Sequence, residues 1–144
     1  MTIRNMRDLE KALQPVMLGM VDELAERVYE TLNYFLQEYY NSYNPKSYKR
    51  QFDFLRSAIK VEPQIKGNKV TASVFIDTDS MDNYYNATGL QVASWANKGL
   101  HGGLNTGGNT PHVWDDTMKE TLENGELLNL AMDYLKSKGF SVRN

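Results

Sequence analysis

Apolar residues at three- and four-residue spacing across the first forty positions constrain this chain more than any other feature. Leu9, Leu13, Met17, Met20, Leu24, Val28, Leu32, Phe35 and Tyr39 form one stripe, while Asp22, Glu23, Glu26, Glu30 and Gln37 fall largely off it. That spacing is the period of an α-helix with one buried face. Pro15 interrupts the pattern, because it has no amide hydrogen to donate and its ring crowds the preceding turn. The reading is a helical region over 6–41, split into a short helix near 6–14 and a long one from about 15.

The remainder alternates loops with short elements. Residues 42–57 read as a loop rich in Tyr, Asn and Ser around Pro45, with a helical turn near 51–57. Two strand signals follow, at 58–65 and 69–77, the second alternating Val70, Ala72, Val74 and Ile76 on one face. Gly67-Asn68 between them is a tight-turn dipeptide, so 58–77 reads as a β-hairpin, with Pro63 at an edge or a bulge. Residues 90–96 are ambiguous between strand and helix. Residues 98–111 hold five of the ten glycines and read as a flexible loop. A helical pattern covers 112–138, broken at Asn124-Gly125 and ended by Gly139, and Phe140-Ser141-Val142 has the composition of a last strand. The expected fold is α+β: a small antiparallel sheet packed against long N-terminal and C-terminal helices. With 144 residues, a second folding unit would leave each half below a hundred, so the expectation is one domain over 1–144.

Charge and composition narrow the function. The net charge is −2, which argues against a general polyanion binder, and the chain has no cysteine, which removes disulfides, thiolate metal sites and cysteine nucleophiles. The N-terminus lacks the apolar core of a signal peptide. The charge is zoned: −3 over residues 1–40, +5 over 41–70 and −4 over 71–144. Such zoning suits head-to-tail contact between copies, since complementary potentials guide register.

No catalytic constellation stands out. His101 and His112 flank the glycine-rich loop, with Asp115-Asp116 nearby, yet their spacing matches no metal motif. Gly108 is followed by Asn109-Thr110-Pro111 and not by the lysine and hydroxyl residue a phosphate loop requires. The alternating acids of Asp77 to Asn83 lack the central glycine and closing glutamate of a calcium loop. The tyrosines cluster at 34, 39, 40, 43 and 48 and again at Tyr84-Tyr85, a residue type favoured where one end is buried and the other wet. Interleaved with Lys46, Lys49 and Arg50, they suit a protein interface and also stacking on single-stranded nucleic acid. The expectation is a chain that is no enzyme and carries no cofactor. The alternative is a metal- or nucleic-acid-binding host or prophage protein using His101 and His112 or the segment Lys46–Arg56.

Three local patterns carry a resemblance. They are Tyr43-x-Pro45-x-x-Tyr48-x-Arg50 with Leu55 following, then Trp95-Ala96-Asn97-Lys98-Gly99-Leu100-His101-Gly102-Gly103, then His112-Val113-Trp114-Asp115-Asp116. In this order and length the chain resembles the small neck or tail-completion proteins of tailed bacteriophages, also labelled minor capsid or head–tail joining proteins. Gln51 stands where relatives often have Thr. The resemblance implies a structural role in the virion: a six- or twelve-fold homo-oligomeric ring between the head connector and the tail tube. Assembly would take place in the bacterial cytoplasm, with DNA passing through the channel without specific binding and no membrane involved. The residues expected at its interfaces are Tyr43, Lys46, Tyr48, Lys49, Arg50, Trp95, His101, Gly102, Gly103 and Trp114. Both tryptophans are expected as buried anchors of the loop ends, and the loop 98–111 as ordered only by a neighbour.

Overall fold

The computed structural model describes residues 2–46, 50–81 and 87–143. Helix α1 runs unbroken over Met6–Asn41. Asn5 caps its start, the side-chain oxygen accepting from the Asp8 amide, while Asp8 accepts from Arg4 N. The expected division at Pro15 does not occur. Proline removes one hydrogen bond to the carbonyl four residues earlier, and here Pro15 and Lys11 both lie on an exposed face, where water can satisfy what the helix cannot.

Strands β1 (Ala58–Lys66) and β2 (Lys69–Ile76) form a two-stranded antiparallel hairpin, with Lys66 opposite Lys69 across the expected turn. The register shifts between Val61 and Gln64, so Pro63 sits in a bulge, where its missing amide costs no ladder bond. Val70, Ala72, Val74 and Ile76 are half-buried and alternate with exposed neighbours, as the sequence indicates. Residues 90–96 resolve as helix α2 (Gly89–Asn97), opened by a capping box between Thr88 and Gln91. Helix α3 (Val113–Met118) continues into a π-helical turn at Lys119–Glu123, and α4 (Glu126–Ser137) follows. Helix α4 ends on the expected Gly139, with Gly139 N bonded to Lys136 O and Phe140 N to Leu135 O. Residues 140–142 form no strand: Phe140 N is spent on closing the helix, and among the described residues the sheet holds β1 and β2 alone.

The architecture is α+β, with α1 as the axis. The hairpin packs on α1, as do α3, the π turn and α4. Two covered sides explain why the buried residues of α1 are Ala25, Leu32, Leu36, Tyr39 and Tyr40 rather than the single stripe read from spacing. The core gathers Leu32, Leu36, Tyr39, Tyr40, Phe54, Ala58, Met81, Ala96 and Val113 near the C-terminal end of α1. Thr117 and Thr121 are fully buried, and each hydroxyl is satisfied by a carbonyl one turn earlier, Val113 O and Thr117 O, at 2.7 Å.

One ion-pair cluster ties the hairpin to α1. Lys60 lies on the inward face of β1, its amine 2.7 Å from Asp22 Oδ1 and 2.9 Å from Glu26 Oε2, one helical turn apart. The hydrogen bond to Asp22 raises the Lys60 pKa above the ordinary lysine value, and the same bond lowers that of Asp22. Both groups are therefore held charged.

Candidate functional site

Aromatic residues converge where α1 ends. Tyr39 and Tyr40 occupy its last turn, and their hydroxyls donate to Leu100 O at 2.6 Å and to Gln51 O at 2.8 Å. These two bonds fix the glycine-rich loop and the 50–54 segment against the helix. Around them lies a cavity of about 300 Å3. Its walls include Tyr39, Tyr40, Tyr43, Phe54, Met81, Val92, Trp95 and Leu104, with Arg50, Gln51, Asp53 and His101 as the polar members. An apolar, aromatic concavity with a few convergent polar groups is the usual form of a binding site.

His101 is the hinge between loop and helix. It is 7% exposed and its ring stacks on Tyr39 at 4.2 Å between centroids, with Tyr43 at 5.0 Å. Nε2 lies 3.0 Å from Ser42 Oγ, whose own hydrogen goes to Tyr39 O at 2.7 Å. Oγ must then accept, so Nε2 carries the proton and Nδ1 is the free acceptor. Burial, and secondarily the positive charge of Arg50, lower the His101 pKa below the ordinary 6.5. A lowered value means that the unfolded chain binds the proton more readily, so this stabilisation is full above pH 6.5 and fades as pH falls through the folded value. Denaturant titrations at a series of pH values should show that decline, and His101→Gln should flatten it.

The turn that follows shapes the rim. His101 and Leu104 exchange both backbone hydrogen bonds at 2.9 Å, with Gly102 at φ +56° and Gly103 at φ +80° between them. Two consecutive positive φ values define a type I′ turn, which side chains resist. The loop is thus pinned over 100–104 by its own subunit. Besides Leu100 and Leu104, the His101 imidazole packs within the subunit and adds to what holds this part of the loop. Residues 105–109 are mostly exposed, and the Thr106 hydroxyl is buried without a hydrogen-bond partner among the described residues.

Five of the ten expected interface residues meet at this cavity: Tyr43, Arg50, Trp95, His101 and Gly102. Gly103 lies against the Trp95 ring. Lys46 is exposed and is not part of the lining, and Trp114 packs against the core from α3. Both tryptophans are half-buried rather than fully buried. Tyr48 and Lys49 lie outside the described residues, as do Tyr84, Tyr85 and part of the calcium-like segment. Tyr39 and Tyr40 belong to the tyrosine cluster that suits an interface but, like Phe54 and Met81, are not among the ten expected interface residues. Tyr39 ends the helical stripe, where periodicity assigns it to the core, and Tyr40 follows it directly.

The second and third sequence patterns prove to be one latch. Asn97, at the end of α2, accepts through Oδ1 from the amides of Trp114 at 3.0 Å and Asp115 at 2.8 Å, capping α3 from another helix. Its own carbonyl lies 3.0 Å from His112 Nδ1, which must donate, and Asp116 accepts from the His112 amide at 2.9 Å. His112, Asp115 and Asp116 are therefore occupied with helix initiation. Asn97→Ala removes two capping bonds and should cost about 1–2 kcal/mol, measured as a fall in the denaturation midpoint. Asn97→Asp keeps the acceptor but loses the amide donor that lies 3.3 Å from Asp115 Oδ1 and sets a carboxylate there instead, so it should recover only part of the stability.

Among the described residues, no group of three or more His, Cys, Asp or Glu side chains is placed to hold a metal ion. Nor is any helix long and apolar enough to cross a membrane. Fold and site together define a small α+β protein built on one long helix, with an aromatic cavity at that helix's end. A family model named YomN matches residues 5–137, from the N-cap of α1 to the last residue of α4. The chain belongs to the YomN family, a phage-related group. No curated protein and no solved structure matches it.

Proposed function

We propose that this protein is a structural component of the phage neck, a homo-oligomeric ring of six or twelve copies that joins the head connector to the tail tube. Its place is that of a tail-completion protein or the adjacent ring, and its role is joining parts rather than catalysis. The observation that carries the reading is the unfinished apolar surface of the single chain. Ile59, Val61 and Phe75 lie exposed on the outer face of a hairpin that has only two strands, and Leu90, Leu104, Leu122 and Leu128 are each more than half exposed. Paired strands with one bare apolar face are marginal alone and gain from burial against a neighbour. Membership of a phage-related family and the −3, +5, −4 charge zoning support the same reading. A ring subunit needs two different faces that close by rotation.

The test combines mass and particle assembly. Native mass measurement of the purified protein, alone and on tails, should give six or twelve times the 16.5 kDa subunit mass. Phage lacking the protein should yield separate heads and tails. A monomer under all these conditions, together with normal joined particles in its absence, overturns the proposal.

A further inference from the structure

We propose that the aromatic cavity receives the acidic turn at Leu122-Glu123 of a second copy of the chain, Leu122 entering among the rings and Glu123 meeting Arg50. This rests on the ring reading and names its subunit contact. Arg50 lines the cavity with its guanidinium carbon 5.1 Å from the centre of the Tyr40 ring, and it has no ion-pair partner among the described residues. Asp53 on the same rim is itself engaged. The cavity thus offers apolar walls and a cation in no ion pair among the described residues, which suits an apolar side chain beside a carboxylate.

The chain carries such a group. Leu122 is 57% exposed on the π turn, and residues 115–126 hold five acidic groups against one basic. Glu126 is neutralised by Arg27, whereas Glu120 and Glu123 have no ion-pair partner among the described residues. Local widening to π geometry inside a helix is often found at functional positions. The groove beside this turn, lined by Arg27, Glu30, Tyr34, Glu120 and their neighbours, shares no residue with the aromatic cavity. Turn and cavity are therefore distinct patches, as a head-to-tail contact requires. Complementary charges at its rim would set register and suppress wrong pairings.

The absence of cysteine makes the contact directly testable. Leu104→Cys marks the cavity rim and Leu122→Cys the turn, both at exposed positions. Mixing the two single variants under oxidising conditions should give a disulfide-linked dimer, and the double variant a ladder of covalent multimers. Arg50→Glu or Glu123→Arg alone should reduce the cross-linked fraction at least tenfold. Mixing chains that carry these opposite reversals should restore it. Cross-linking no greater than from an Ile65→Cys control, or unchanged by either charge reversal, overturns the proposal. A ring mass without the 104–122 link overturns this contact and leaves the ring reading standing. A monomer mass without any link sinks both.

Discussion

Leu36→Ala should unfold a large share of this protein at temperatures where the parent is intact. Leu36 is fully buried in α1, at the point where Tyr39, Phe54 and Ala96 complete the core. Truncating a buried leucine loses its transfer free energy and leaves a cavity, together costing about 2–5 kcal/mol. The upper half of that range applies here, because α1 is covered on two sides and neither layer can collapse onto the gap without shifting the helix. Domains of this size are stable by only about 5–15 kcal/mol, so the variant should lose about a quarter of its stability or more in urea denaturation. Leu122→Ala, on the exposed π turn, should change stability by under about 0.5 kcal/mol. Equal effects at the two positions would mean that the core is not centred on the end of α1.

Gly89→Ala should be the most damaging single-methyl change in the chain. Gly89 opens α2 on the floor of the cavity, and a Cβ there would run into the backbone carbonyl of Thr78, with Met81 Cε at 2.8 Å. The methionine can move, but the carbonyl belongs to the segment leaving β2 and cannot move without displacing it. Overpacking of this kind costs typically about 1–3 kcal/mol, and more where backbone must shift. The expected result is a loss of about 3 kcal/mol, read from the thermal midpoint and accompanied by altered tryptophan fluorescence. Gly19→Ala is the informative comparison. There the Cβ meets the hydroxyl end of Tyr134, a side chain that can swing aside, so the cost should be well under half as large.

Much of the fold was legible in the sequence because its signals are local. The spacing over 6–41 marked the long helix, Gly67-Asn68 marked the hairpin, and Gly139 marked the end of α4, each through a period or a φ requirement that neighbouring residues cannot override. Two misreadings share a cause. Pro15 carries a strong local penalty that solvent on an exposed face relieves, and Phe140-Val142 carries a strand composition that counts for nothing without a sheet edge beside it. The run 90–96 is too short for its apolar pattern to separate strand from helix, and the capping box between Thr88 and Gln91 settles it as helix. The site was legible only in part. Tyr43, Arg50, Trp95 and His101 stand out as aromatic or basic residues near loops, whereas Tyr39 falls in the helical stripe with Tyr40 beside it, and a tyrosine cluster alone does not show which rings wall a cavity.

The sequence by itself determined the helical stretch over 6–41, the hairpin over 58–77 and the helical region that Gly139 ends, and how charge is zoned along the chain. These follow from hydrogen bonds and side-chain periods that span four residues or fewer. Only the tertiary structure decided that α1 is buried from two sides, that Lys60 faces Asp22 and Glu26, and that Asn97 caps a helix sixteen positions later. The same holds for the cavity, where Tyr39 reaches Leu100 across 61 positions and His101 reaches Ser42 across 59. Contacts between groups so far apart leave no period for a sequence to display, and chain packing alone brings them together.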